Sequence, residues 1–284
     1  MRKSIFWLMV SLGAWSCSSK KHVNYLFDTL SADSTGIQFE NKIVPTPAFN
    51  LFSYMYYYNG AGTGAGDFNN DGLIDLYFAA NQGKSAMYIN KGRMRFEDIT
   101  DKAGIIQDSA WNTGVSVVDI NADGLLDIYL CCVGNYKILK GRNRLLICTG
   151  IDKEGIPHYE EKASMYGLDF SGFSTQAAFL DFDADGDLDM FLLNHSVNHD
   201  GNYAPRSNFI NTYDSLAGQR LYRNDKGKFV NITAASGING SRIGYGLGVA
   251  VADINMDGWP DIYVGNDFHE NDYLYINQKN GKFE

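Results

Sequence analysis

The sequence is poor in proline, cysteine and histidine. Only 5 prolines, 4 cysteines and 5 histidines occur in its 284 residues. Three of the cysteines, Cys131, Cys132 and Cys148, lie in the body of the chain, and this odd number does not fit a framework of disulfides. Cys131 and Cys132 occupy positions at which an earlier copy of the repeat described below has Ala79 and Ala80. We therefore expect small buried residues there, with a bridge from one of them to Cys148 as the alternative.

Several features that mark common protein classes are absent. The sequence has no long apolar stripe at helical spacing, and it lacks the motifs G-x-S-x-G, H-E-x-x-H, Cys-x-x-Cys and a glycine-rich phosphate loop. Its formal net charge of −9 provides no electrostatic footprint for a nucleic-acid partner. The chain is instead rich in glycine, tyrosine and phenylalanine, with 30, 18 and 17 residues. This composition favours many short β-strands joined by turns.

One nine-residue motif, D-x-[DN]-x-D-G-x-x-D, occurs four times, at residues 67–75, 119–127, 181–189 and 253–261. Oxygen-bearing side chains at positions 1, 3, 5 and 9 can surround one hard cation such as Ca²⁺, which takes six to eight oxygen ligands. Glycine at position 6 permits a turn with positive φ, and we expect this turn to expose the carbonyl of position 7 as a further ligand.

Two other interpretations of the motif are weaker. An EF-hand loop needs a bidentate glutamate at position 12 and a helix on either side, but here that position is Phe78, Leu130, Leu192 or Val264, within predicted strands. Metal-free Asp-Gly hairpin turns would not require four oxygen-bearing residues at fixed spacing. The motif therefore predicts four calcium loops.

More than the loop repeats, and the repeat predicts the fold. Small or β-branched residues form a strand before each loop, at residues 62–66, 114–118, 175–180 and 246–252. A second strand opens on the position-9 aspartate, at residues 75–78, 127–130, 189–192 and 261–264. A third follows at residues 87–90, 145–147, 221–224 and 274–277, and a fourth at residues 95–100 and 228–233. Four strands per copy predict the blade of an all-β propeller.

The fourth copy stops at Phe283 and Glu284, just before its last strand would be complete. We expect a truncated propeller with about four blades present. A four-blade ring closed by the stretch near residues 36–39 is the alternative.

The copies differ in length mainly between the second and third strands, above all at residues 194–219. These insertions lie on one face of the disc, which we expect to be the binding face. Two histidines at residues 195 and 199 could share a transition metal on a helix, but we expect a solvated loop there and at His269-Glu270. The cluster Tyr54, Tyr56, Tyr57 and Tyr58 is expected to pack in the core of the first blade, with a sugar-binding platform as the alternative.

The N-terminus has the pattern of an export signal. Arg2 and Lys3 precede an apolar run, residues 5–15, that is too short to span a bilayer, and Cys17 follows a small residue. We expect a signal peptide at residues 1–16, lipidation of Cys17 and a tether at residues 17–36, with an ordinary secretory signal as the alternative.

The loops and blades resemble the FG-GAP/VCBS repeats of integrin-type β-propellers. The segment GAGDFNNDG at residues 64–72, together with residues 266–268 and 271–275, also resembles bacterial lipoproteins that carry such repeats ahead of an ASPIC/UnbV domain. The resemblance covers residues 37–284 and implies seven blades, with Ca²⁺ in each hairpin loop.

The resemblance also implies the ligands of up to four structural Ca²⁺ ions. The side-chain ligands would be Asp67, Asn69, Asp71 and Asp75; Asp119, Asn121, Asp123 and Asp127; Asp181, Asp183, Asp185 and Asp189; and Asp253, Asn255, Asp257 and Asp261. The carbonyls of Leu73, Leu125, Asp187 and Trp259 would complete the four shells.

These features predict an exported cell-envelope lipoprotein that acts as a binding, adhesion or scaffold module. Its ligand would be a protein or a glycan on the face that carries the insertions, and only the lipid anchor would contact the membrane. The alternative is a propeller enzyme that cleaves polysaccharides by a lyase reaction. A deep pocket at the ring centre, lined by lysine, arginine, histidine or tyrosine, would favour the enzyme.

Overall fold

The computed structural model describes residues 26–106, 110–197, 205–210, 212–267 and 270–284. The chain divides into two units, residues 1–31 and residues 32–284. In the first unit the described residues, 26–31, form no helix or strand. The predicted signal peptide and Cys17 lie outside the described residues. All strands among the described residues belong to the second unit.

Four antiparallel sheets arranged around one axis form a four-blade β-propeller. The first sheet contains β1 Thr63–Gly66, β2 Asp75–Phe78, β3 Ala86–Asn90 and β4 Phe96–Asp98. The second contains β5 Trp111–Val118, β6 Asp127–Val133, β7 Arg144–Ile151 and β8 Pro157–Glu161. The third contains β9 Ser174–Leu180, β10 Asp189–Asn194, β11 Arg220–Asn224 and β12 Phe229–Asn231. The fourth contains β13 Gly246–Ala252, β14 Asp261–Asn266 and β15 Tyr273–Tyr275. Successive strands pair within each sheet, which confirms the predicted all-β propeller.

The fourth blade has three strands and the beginning of a fourth. Phe283 forms an isolated bridge with Asn277. The backbones of Ile276 and Glu284 exchange two hydrogen bonds, of 2.8 and 3.0 Å. The predicted total of seven blades stays a prediction.

In the part of the chain that the structure describes, helical structure is limited to single turns. The α-helices are α1 Ala32–Thr35, α2 Ala163–Tyr166 and α3 Thr233–Ser236, and residues 206–208 form a 3-10 turn. Helices α2 and α3 follow β8 and β12, and each ends at a glycine in the left-handed conformation, Gly167 or Gly237. Such residues close a helix without a Cβ clash and redirect the chain toward the next blade. Within the described ranges, no helix is long and apolar enough to cross a membrane.

The first strands of the blades lie against one another at the axis, and this crowding explains their small residues. A Cβ on Gly62 would lie 2.6 Å from the backbone nitrogen of Val115, and one on Gly114 would lie 2.3 Å from the carbonyl oxygen of Thr175. Both distances are too short for any side chain. Glycine is therefore required wherever adjacent inner strands approach this closely.

Apolar residues between neighbouring blades form the three main cores. The third residue of the second strand is an aromatic that faces the next blade. Tyr77, Tyr129 and Phe191 occupy this position in the first three blades, and each is 0% exposed. Their cross-strand partners, Met87, Leu145 and Leu221, are equally buried.

The corresponding face of the fourth blade is uncovered. Tyr263, the equivalent of Tyr77, is 42% exposed, and its cross-strand partner Leu274 is 47% exposed. At the other end of the arc, Ile37 and Phe39 pack on the rear of the first blade, where the ring of Phe39 stacks on Phe78 at 5.0 Å. Residues 36–39, the alternative closing segment, form no strand and cover the first blade.

Candidate metal loops and the axial pocket

Each nine-residue motif forms the hairpin between the first and second strands of a blade, as predicted. The carboxylate at position 1 accepts two backbone N–H groups, from positions 5 and 6, at 2.7 to 3.1 Å. The N–H of position 7 donates to the position-5 carboxylate at 2.9 to 3.1 Å. The loops therefore fold around their own carboxylates.

Two residues of each loop adopt the left-handed conformation. The position-6 glycines have φ from 85° to 96°, which confirms the predicted turn. Position 4 is also left-handed, with φ from 56° to 61° at Asn70, Ala122, Ala184 and Met256. The sequence did not indicate this at position 4, because three of these four residues, the two alanines and the methionine, do not favour the left-handed conformation.

The position-9 aspartates connect the loop to the blade. Asp75, Asp127, Asp189 and Asp261 are all fully buried. One oxygen of each accepts the N–H of position 2 of its own loop, at 2.9 to 3.1 Å. The other accepts a backbone N–H from the third strand or the residues that continue it, at 2.7 or 2.8 Å. Each carboxylate thus fixes three segments of its blade relative to one another.

Burial makes three of these carboxylates reluctant to ionise. It raises the pKa of Asp75 and of Asp127 to about 6, and that of Asp189 to about 7, although two N–H donors act in the opposite direction. A nearby cation would offset this cost, since an opposite charge favours the ionised form.

The third loop is the most acidic of the four. Carboxylate oxygens of Asp181, Asp183 and Asp189 all lie within 4.8 Å of one another. One side-chain oxygen of Asp183 and one of Asp187 are buried without a hydrogen-bond partner among the described residues. Burial, followed by the charges of neighbouring aspartates, raises the pKa of both groups. Unpartnered buried oxygens of this kind fit a hard cation.

In the other three loops an asparagine amide satisfies part of the same arrangement. The position-3 side chains of Asn69, Asn121 and Asn255 donate to the position-5 aspartate at 2.9 to 3.1 Å. In the fourth loop the ammonium group of Lys279 also lies 3.3 Å from Asp257. The side chain of Asp187 and the lysine are site features that the motif did not predict. The predicted ligand sets remain predictions, although their side chains converge loop by loop.

A second candidate region lies at the opposite ends of the inner strands. An aromatic cluster, here called the aromatic cap, covers this end and consists of Phe49, Tyr54, Tyr56, Tyr57, Trp111, Tyr136 and Phe173. Tyr54, Tyr56 and Tyr57 are buried as expected, but in this cap rather than in the core of the first blade. Tyr58 is exposed.

His195 is buried under the aromatic cap, so the prediction of a solvated loop is wrong at this residue. It is 2% exposed. Its Nε2 lies 3.0 Å from the Tyr54 hydroxyl, and its Nδ1 lies 3.2 Å from Oγ1 of Thr175. Burial lowers the pKa of His195 to about 3. The other histidine of the predicted pair, at position 199, lies outside the described residues.

Glu270 was also expected in a solvated loop, and this expectation is wrong. Its side chain is 0% exposed and forms a two-pronged ion pair with Arg206, at 2.7 and 2.8 Å. The ion pair joins the insertion of the third blade to the fourth blade. His269 lies outside the described residues.

The three cysteines in the body of the chain, Cys131, Cys132 and Cys148, are buried, and none of them forms a disulfide. This confirms the prediction of small buried residues and leaves the alternative bridge unformed.

The chain has its repeats in common with known proteins. Residues 67–130 and 181–264, more than half of the chain, match the FG-GAP-like repeat. The chain belongs to the FG-GAP-like repeat family. Both matched segments begin at the first aspartate of a predicted calcium loop, so the FG-GAP-like match and the loop geometry coincide.

One curated relative is cartilage acidic protein 1 from Xenopus tropicalis, which is 27% identical over 241 residues. The match covers 85% of this chain and 33% of the relative, so the chain spans about a third of that protein's length. Two solved structures overlap with it in part. The first is the exotype rhamnogalacturonan lyase YesX, with a TM-score of 0.38 and 16% identity; the match covers 78% of this chain and 30% of the lyase chain. The second is the Photorhabdus luminescens Tc holotoxin pore, with a TM-score of 0.32 and 14% identity; the match covers 78% of this chain and 9% of the toxin chain.

Proposed function

We propose that this chain is a calcium-stabilised β-propeller that acts outside the cytosol as a binding module. The observation that carries the proposal is the third loop, where three carboxylates converge and two buried oxygens have no partner among the described residues. Extracellular modules bind Ca²⁺ at about 10⁻⁴–10⁻³ M, so such loops fill where calcium is plentiful.

The proposed role of the ion is structural. Each loop brings three or more carboxylates into one hairpin, and like charges at such distances repel. The position-9 aspartate also contacts the third strand, so an ion bound to it would stabilise the whole blade and not the turn alone. This arrangement supports calcium as a clamp between strands rather than as a catalyst.

The melting temperature of the full chain, measured with CaCl₂ and with EGTA, tests this role. Calcium should raise it, because an ion that binds only the folded state stabilises that state by mass action. MgCl₂ at the same ionic strength serves as the control, since Mg²⁺ demands a smaller octahedral shell. Equal melting temperatures in CaCl₂ and EGTA would refute the structural role.

We further propose that the protein is exported and anchored by a lipid on Cys17. The basic start, the short apolar run and the small residue before the cysteine support this. In cells fed a radiolabelled fatty acid, the wild-type chain should incorporate label into the membrane fraction, whereas Cys17→Ser should not. Label in Cys17→Ser would contradict the proposed anchor.

A lyase acting on polysaccharides is the second candidate, and one observation favours it. A pocket at the axis is lined by Tyr54, Tyr56 and His195. No lysine or arginine is among the described residues that line it, so a substrate carboxylate would have no cationic partner there. Incubation with polygalacturonate tests for lyase activity, because the unsaturated product absorbs ultraviolet light. A calcium-dependent rise in this absorbance would show that the protein is an enzyme and not only a binding module.

A further inference from the structure

A second cavity, here called the basic pocket, lies on the second blade. It has a volume of ≈ 420 Å³ and is lined by Ala110, Trp111, residues 138–142 and Arg144. Most of these residues belong to the connection between β6 and β7, residues 134–143, whereas the calcium motif of this blade joins β5 to β6. The pocket and the calcium motif therefore lie at opposite ends of the blade, and the pocket has the size of a small-molecule site.

The basic pocket is positively charged in a protein whose net charge is −9. Lys140, Arg142 and Arg144 line it, and no aspartate or glutamate is among the described residues that do so. Between Asp127 and Asp152 the sequence contains four basic residues and no acidic one. A concave surface lined by charges of one sign raises the local concentration of ligands of the opposite sign.

Two of these cations have donors to spare for a ligand. The side chain of Lys140 is exposed, and its ammonium group has no hydrogen-bond or ion-pair partner among the described residues. The side chain of Arg142 is 64% exposed, and its Nη1 donates to a carboxylate oxygen of Asp169 at 2.9 Å. The Nη2 and Nε atoms of Arg142 have no partner in the part of the chain that the structure describes. Asp169 thus balances one of the three positive charges and leaves donors facing solvent.

The connection that carries these cations is held in place by its backbone. The N–H groups of Gly134 and Asn143, at its two ends, each donate to a carbonyl of residues 170–172, before β9, at 2.8 Å. A Cβ on Gly141 would lie 2.1 Å from the sulfur of Cys132, so the backbone rests directly on β6. A site held in this way loses little conformational freedom when a ligand binds.

We propose that the basic pocket binds a small organic oxyanion, a carboxylate or a phosphate on a molecule about the size of a monosaccharide. Arginine presents a planar set of N–H donors that matches the oxygens of such groups, and lysine adds a point charge. The volume lies near the lower end of the range for ligand sites, which favours a single ring over a longer chain. This inference rests on the proposed binding function and names the chemistry of its ligand and the site.

The test is calorimetric titration of the calcium-loaded full chain with galactose, galacturonate and galactose 6-phosphate, which differ only at C6. At least one of the two anions should bind with a Kd below about 10 mM, and galactose at least about tenfold more weakly. The tighter of the two anions identifies the group as a carboxylate or a phosphate. Binding of neither anion, or equal binding of galactose, would overturn the proposal.

Variants at the two exposed cations locate the site. Lys140→Gln should weaken anion binding about tenfold, the usual loss for one charge-assisted hydrogen bond. Lys140→Gln combined with Arg142→Gln should abolish it. Lys153→Gln makes the same charge change at an exposed lysine between β7 and β8, outside the pocket, and should bind like the wild type.

Two results with these variants would refute the basic pocket. Unchanged binding in the double variant would place the anion elsewhere, for instance on bound calcium. An equal loss in Lys140→Gln and Lys153→Gln would show an effect of overall charge and not of the pocket. The melting temperature of each variant shows that it is folded under the conditions of the titration.

Melting temperatures of the wild type in CaCl₂ and in EGTA separate this inference from the proposed function. If calcium stabilises the chain and neither anion binds, the basic pocket fails and the calcium role stands. If an anion binds the wild type but not the double variant, and calcium has no effect on melting, the structural calcium role fails while the basic pocket stands.

Discussion

The hydroxyl of Tyr159 donates to the carbonyl of Leu126, 3.1 Å away, and it performs a task that an asparagine performs in the other three blades. The carbonyl belongs to position 8 of the second nine-residue loop. In the other blades it accepts from the side chain of Asn90, Asn224 or Asn277, at 2.9 to 3.3 Å. Cys148 stands at the asparagine position in the second blade and leaves the carbonyl to Tyr159.

Tyr159→Phe should therefore destabilise the protein by about 1–3 kcal/mol, because the Leu126 carbonyl loses its partner. The double variant Tyr159→Phe with Cys148→Asn should recover part of this loss, since asparagine fills the role in the other blades. Denaturant unfolding measures both changes. A double variant no more stable than Tyr159→Phe would show that the two groups are not interchangeable.

The third loop should bind calcium more tightly than the other loops because it has a carboxylate where they have an amide. Asp183→Asn should lower its affinity by about tenfold, and Asn121→Asp should raise that of the second loop, since ligand charge sets affinity. Calcium titrations followed by calorimetry would measure both. Asp101→Asn, at an exposed aspartate outside the loops, is the control and should leave affinity unchanged.

Equivalent aromatic residues should differ in their contribution to stability according to their burial. Tyr77→Ala should cost roughly 3–5 kcal/mol, the usual loss for a large side chain removed from a packed core. Tyr263→Ala should cost less than about 1 kcal/mol, because Tyr263 is 42% exposed. Unfolding free energies of the two variants provide the comparison. Similar losses would mean that the face of the fourth blade that carries Tyr263 is covered in solution.

The stability of the protein should fall in acid partly through His195. Burial lowers its pKa to about 3, whereas a histidine in an unfolded chain has a pKa of about 6.5. Between these values the unfolded state binds more protons, so stability is lost as the pH falls, by up to about 1.4 kcal/mol per pH unit. His195→Gln should show a shallower loss between about pH 6.5 and 4 in melting experiments. An identical pH profile would remove His195 from this effect.

The sequence alone determined the repeat, the strand order and the turn at each loop. Those features follow from local chemistry, because aspartates at fixed spacing and a glycine at position 6 constrain one hairpin irrespective of the rest of the chain. The first strand of each copy could be recognised by its small residues, and the glycines at Gly62 and Gly114 proved to be required by contact between blades.

Only the tertiary structure decided what lies between the repeats. His195 and Glu270 are polar residues in turn-rich segments, so their sequence suggests solvent exposure, yet partners from distant segments hold them in the interior. Tyr263 has the same local pattern as Tyr77, and their exposure differs because a neighbouring blade covers only one of them. Residue pattern fixes which face of a strand is apolar, but whether that face is buried depends on which surface the fold places against it.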